Sequence, residues 1–181
     1  MSLTTPRLLL SCAVLGATLL ASGCGFHLRG TGVDSVELTQ LDVTTQERNS
    51  ATYQQVLEAL KLDGVRIAPT AAYRLELLDE ALERRAVSYT GSSSSAEYEL
   101  TNSLNYQIVD RQGRTLVGPE TLSTRRTFVN DKDNIVGANE EEELLRREMR
   151  EDLTRQLLFR LSSISEGDLS SRESRLDQQG N

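Results

Sequence analysis

The chain contains no tryptophan, one histidine and two cysteines. A Cys/His zinc site or a Cys–His catalytic pair needs more of these residues than that. Basic residues are outnumbered as well: 20 Lys+Arg face 27 Asp+Glu, a net charge of −7. Binding nucleic acid requires a basic stripe to neutralise phosphates, so nucleic acid is excluded as a partner. A phosphate-cradling glycine loop, a nucleophile elbow, HExxH and CxxC are all missing. The many paired acids fall on helix ends or on the wet faces of strands, so the sequence assigns no catalytic residue, no metal site and no cofactor. The 181 residues are 38% hydrophobic, enough for one domain with a modest core; a chain of ~150 residues buries roughly 68–70% of its extended surface.

Long apolar runs are absent except at the start. Leu8 to Leu20 is thirteen residues without a charge, Arg7 is the only basic side chain before it, and the small residues Ala21, Ser22 and Gly23 follow. This is the build of a secretory signal. Thirteen helical residues rise about 20 Å, short of the ~30 Å hydrocarbon core. Small residues ending in Cys24 form the lipobox pattern, in which Cys24 becomes an N-palmitoyl, S-diacylglycerol cysteine after cleavage before it. Several acyl chains, at ~0.8 kcal/mol per buried CH₂, give stable anchoring. Gly25 stands where an Asp would signal retention at the inner membrane, so an outer-membrane anchor is expected. Cys12 leaves with the signal and Cys24 is alkylated, so no disulfide is available. Loss of residues 1–23 removes Arg7 and takes the net charge to −8.

After the lipobox the chain reads Cys24-Gly25-Phe26-His27-Leu28-Arg29-Gly30. This resembles the start of the mature LptE lipoproteins, which open with Cys-Gly-(Phe/Trp)-His-Leu-Arg. Ala96-Glu97-Tyr98 resembles a strand of the same family, and the order of elements matches through about residue 165. The resemblance implies an α+β domain, binding to the β-barrel LptD largely inside its lumen, help in folding that barrel, and assembly of lipopolysaccharide (LPS) at the outer leaflet. It implies localisation at the periplasmic side of the outer membrane. Read on their own, Phe26 and Leu28 alternate with His27 and Arg29 as a strand start would. His27 lacks the partners that catalysis or metal binding requires, and a hydrogen bond near the anchor is the plainer role.

The pattern divides the chain into a signal peptide (1–23), a lipidated lead (24–34), an α+β domain (35–165) and a polar tail (166–181). Val36, Leu38, Leu41 and Val43 predict a first strand with a phase slip. Asn49-Ser50 caps a helix whose face is Tyr53, Val56, Leu57 and Leu60, and Gly64 ends it. Tyr73 to Tyr89 alternates with its apolar side chains at odd positions. Ala96 to Ile108 alternates at even positions. Arg111-Gln112-Gly113 predicts a hairpin turn, and a fourth strand runs from Thr121 to Val129, with Pro119 marking a bulge or an edge. Asp131 to Asn139 reads as linker. Glu140 to Glu143 open a long helix with Leu145, Met149, Leu153, Leu157 and Leu161 on one stripe, and their acids suit a solvated helix start better than a metal site. The tail has two leucines and is expected to stay disordered. The fold class that follows is a two-layer α+β sandwich, two helices on one face of a four-stranded mixed sheet.

A barrel plug should be compact and polar outside, because large outer-membrane barrels have polar interiors. LPS contact needs local basic pairs in so acidic a chain. Arg84-Arg85, Arg125-Arg126 and Lys132 are the candidates, since the guanidinium fork suits phosphate. Tyr89 to Ser95 and Ile135 to Asn139, where some LptE proteins carry a basic residue, have none here. Two other functions fit the anchor: a subunit of another envelope transport complex, and a carrier of a small apolar ligand, which would need an apolar cavity with an open mouth.

Overall fold

The computed structural model describes residues 35–89, 95–131 and 133–179. The strands are β1 (Gln40–Thr45), β2 (Arg66–Ile67), β3 (Arg74–Tyr89), β4 (Ser95–Val109) and β5 (Thr115–Asp131). The helices are α1 (Ala51–Leu62), α2 (Ile135–Ser162) and α3 (Glu166–Gln179). The five strands form one sheet in the order β2-β1-β3-β4-β5; β1 runs parallel to both neighbours, and β3, β4 and β5 form antiparallel hairpins. The α+β class and the single covered face hold, but among the described residues the sheet has five strands instead of four and there are three helices instead of two. The extra strand is the two-residue β2, paired as Gln40 with Arg66 and Leu41 with Ile67. Two residues are too few to show an alternation.

The first helix follows its sequence cues. Ser50 accepts the Tyr53 amide at 3.1 Å, Val56 and Leu60 are buried, and Gly64 sits at φ 91° just past the end. The second helix starts at Ile135, five residues before the acidic run, because Asn134 caps it by accepting the Gly137 amide at 3.2 Å. The expected linker therefore shrinks to a few residues. Met149, Leu153, Leu157 and Leu161 are fully buried along the expected stripe, whereas Leu144 is exposed.

Residues 166–179 of the tail form a helix instead of staying disordered. Ser165 and Asp168 form a capping box: the Asp168 amide donates to Ser165 Oγ at 3.1 Å and the Ser165 amide to Asp168 Oδ2 at 3.1 Å. Leu169 is fully buried and Leu176 packs against the core. Glu166 accepts from Thr39, Arg172 donates to the Leu116 carbonyl at 3.0 Å, and Arg114 pairs with Asp177 at 2.6 Å. Two leucines suffice because polar ties to distant strands add to them.

The odd phase expected through β3 fails beyond Leu77. A bulge lies between Leu77 and Asp79. Leu75 and Leu77 point into the core before it. After it the even residues Glu80 and Arg84 stand opposite the buried Leu104 and Leu100, so the helix-facing side has changed parity. The expected fourth strand begins six residues early, at Thr115, and carries Gly118-Pro119 within it. Gly118 has φ 87°, and a Cβ there would lie 2.9 Å from the Tyr106 carbonyl oxygen, so only glycine fits. A register shift between Tyr106 and Ile108 sits opposite, and β5 is an edge strand; both readings of Pro119 hold.

Candidate functional site

A large core joins β1, α1, the near halves of β3 to β5 and the C-terminal half of α2. A smaller cluster of Leu100, Phe128 and Met149, with Tyr98 and Leu145 against it, lies toward the other end of the hairpins. Between them on the helix-facing side sit buried Asn102 and Thr124. Asn102 donates to Glu80 at 3.0 Å and Thr124 to Asp152 at 2.7 Å. The far end, built by the outer halves of β3, β4 and β5 and the start of α2, is where the candidate arginines lie.

Neighbouring strand residues point to opposite faces, so each arginine doublet is divided. Arg84 and Arg126 share the helix side. Arg84 stacks over the Tyr98 ring at 4.0 Å and lies 3.5 Å from Glu142, which also accepts from Arg146. Arg126 donates to Thr124 at 3.2 Å and lies 3.7 Å from Asp152, itself paired with Arg155 at 3.0 Å. The hydrogen bond from Thr124 leads the causes that hold the Asp152 carboxyl below its ordinary value, with Arg155 and Arg126 adding to it.

Arg85 and Arg125 stand on the open face, which no described element covers. They share Glu99 at 3.2 and 3.4 Å. Glu83 and Glu97 stand on the same face, two residues from Arg85 and Glu99 along their strands. Their side chains are 75% and 65% exposed, against 39% and 37% for Arg84 and Arg126. Exposed pairs of this kind are worth ~0–1 kcal/mol. Val87, Val129, Ile135 and Val136 are exposed at this same end. Lys132 lies outside the described residues, as do Cys24, Gly25, Phe26, His27, Leu28 and Arg29.

Sequence reasoning missed Glu142, Asp152 and Tyr98 as partners of the arginines. In the sequence Glu142 stands out only by its i,i+4 spacing to Arg146, a pair that forms, and Arg155 pairs with Asp152. The bulge that brings Arg84 to Tyr98 had no alternation on the wet side to reveal it.

The model of the LptE family, described as lipopolysaccharide-assembly, matches residues 38–161. The chain belongs to the LptE family. The match spans β1 to all but the last residue of α2 and stops short of α3. The LPS-assembly lipoprotein LptE of Photorhabdus laumondii subsp. laumondii is 30% identical over 167 residues, covering 90% of this chain and 91% of its own length. That of Pectobacterium atrosepticum is 31% identical, covering 84% of each. Among solved structures, a minor lipoprotein from Acinetobacter baumannii superposes with a TM-score of 0.60 at 25% identity, over 69% of this chain and 91% of that one. The rare lipoprotein B from Shewanella oneidensis gives 0.57 at 26% identity, over 76% and 98%. Among the described residues no helix is long and apolar enough to cross a membrane.

Proposed function

We propose that this chain is an outer-membrane LPS-assembly lipoprotein, anchored through Cys24 on the periplasmic side, that works as plug and folding aid of the LptD β-barrel and contacts LPS. It does so without catalysis. The observation that carries this reading is membership of the LptE family across nearly the whole folded domain. The open sheet face supports it: Thr101, Ser103, Asn105, Gln107, Thr121 and Ser123 cover that side with short hydroxyls and amides. Such a surface suits the hydrated inside of a barrel. A pull-down from outer membranes is expected to bring down a large barrel with the lipoprotein. Recovery of the lipoprotein alone from intact outer membranes sinks the proposal. Normal processing in the presence of globomycin would refute the anchor at Cys24.

LPS presents phosphates and acyl chains together. Arg85 and Arg125, beside the exposed aliphatic side chains of the same end, suit that chemistry, and Lys132 extends the basic set. Arg84 and Arg126 hold the sheet to α2 and contribute charge from the other side. The Arg85→Ala/Arg125→Ala double variant is expected to lose LPS retention while its melting temperature stays within a degree or two, as exposed pairs contribute ~0–1 kcal/mol. Unchanged retention removes these two residues from the proposal.

A further inference from the structure

The sheet is not equally wide along its length. β1 ends at Thr45, opposite Leu77, whereas β3 runs on to Tyr89. Beyond Leu77 the side of β3 that β1 lined is an unpaired strand edge among the described residues. Bulges bound it, one between Leu77 and Asp79 and one between Ala86 and Ser88, and from Asp79 to Ala86 the pairing with β4 is unbroken. At ~3.3 Å per residue this edge is about 25 Å long. One bond gives the phase of its backbone. The Asp42 amide donates to the Tyr73 carbonyl at 3.1 Å, so before the bulge the odd residues of β3 turn their backbone groups toward β1. The bulge moves the helix-facing side to even residues, and Glu80, Leu82 and Arg84 therefore present N–H and C=O to the empty edge.

Unpaired edges are templates for a further strand, and folds ordinarily cover or blunt them. The β5 edge is covered in this way: Gln156 of α2 donates to the Ser123 carbonyl at 3.4 Å, and Arg172 of α3 to the Leu116 carbonyl at 3.0 Å. Among the described residues no side chain bonds the backbone of Glu80, Leu82 or Arg84. The charges along this edge are not balanced. Arg84 is drawn over Tyr98 and toward Glu142, and Arg85 toward Glu99, so both turn away from it. Asp79 and Glu83 on the open face and Glu80 on the helix face are exposed, and among the described residues none of the three is within ion-pair distance of a cation. Leu82, between them on the helix face, is 38% exposed. A second copy of this chain does not fit the edge. Another β3 laid antiparallel on 79–86 runs its residues beyond Ala86 into β1.

We propose that the free edge of β3 between its two bulges takes up an extended segment of a partner protein as a further strand, one that alternates basic side chains beside Asp79 and Glu83 with apolar side chains beside Leu82. Backbone bonds to Glu80, Leu82 and Arg84 hold the segment, and its alternate side chains give the selectivity. The added strand lies in line with β1 and widens the sheet along the hairpins. The edge is separate from the LPS-directed pair Arg85 and Arg125, and it does not depend on which protein brings the strand.

The test titrates the full isotope-labelled chain with the capped peptide Lys-Val-Lys-Val-Lys-Val-Lys, followed by NMR, with Glu-Val-Glu-Val-Glu-Val-Glu as control. Saturable shifts are expected along 79–86 with the lysine peptide. Hydrogen exchange is expected to slow at the amides of Glu80, Leu82 and Arg84 and to stay unchanged at those of Ala81 and Glu83, which already bond to β4. Leu82→Pro removes one outward N–H, a change that an edge strand tolerates, and is expected to abolish saturable binding. Asp79→Asn/Glu83→Gln leaves the backbone intact, so it reads the edge whether or not the proline variant folds, and is expected to weaken binding about fivefold. Absence of saturable shifts, equal binding of the glutamate peptide, shifts without the alternating protection, or unchanged affinity in Asp79→Asn/Glu83→Gln overturns the proposal.

Discussion

At Asp110 one carboxylate organises the β4–β5 hairpin. It accepts the amides of Gln112 and Arg114 at 2.9 and 2.8 Å and the Arg114 guanidinium at 2.6 Å, with its side chain wholly buried. Burial pushes its pKa upward, but the Arg114 backbone and side-chain bonds outweigh that and hold it below the ordinary 3.8. A carboxylate held low in the folded state adds stability that is complete above the unfolded value and is lost as pH falls through the folded one. We predict that Asp110→Ala costs about 2–3 kcal/mol near neutrality. We also predict that the gap between variant and parent closes as pH falls below 3.8. Urea unfolding at several pH values measures both, and a gap independent of pH refutes the assignment. The turn itself was legible from Arg111-Gln112-Gly113, since Gly113 takes φ 80°; the carboxylate that ties it was not, because two of its three bonds come from backbone amides that no side-chain pattern encodes.

Elements with their own apolar period were legible: α1, β4 and the buried stripe of α2 follow the spacing of their leucines. Elements held by distant polar ties were not. α3 illustrates this: Ser165-Glu166-Gly167-Asp168 is a capping-box sequence, yet its hydrophilic composition outweighed it in a reading based on composition. Leu169→Ala is expected to cost about 2–5 kcal/mol and Ser165→Ala about 1 kcal/mol, both seen as a lowered melting temperature. A Leu169→Ala chain as stable as the parent would mean that the helix contributes nothing to the core it covers. The family match ends before α3, so this element tests whether the segment beyond the shared domain is part of the fold.

Across the whole molecule, the polar layer of Asn102 and Thr124 splits the interior into two clusters of unequal size. Local opening follows the smaller apolar cluster. Met149→Ala, which removes the helix's contribution to the small cluster, is expected to speed amide exchange in 97–101 and 125–129 well before 104–108; uniform acceleration would show one cooperative unit. Of the candidate site, the arginines were legible as basic pairs in an acidic chain, but their division between faces was not, because it depends on strand parity and hence on the bulge. That bulge has a genetic consequence. Leu78 is the residue of β3 that the pairing with β4 skips: Leu77 stands opposite Tyr106 and Asp79 opposite Asn105. Deleting its codon would close the bulge and keep the later pairs, so Arg84 stays opposite Leu100 on the helix side and Arg85 opposite Glu99 on the open side. The strand thus carries one residue of slack, and losing it spares the surface that a single substitution at Arg85 would change.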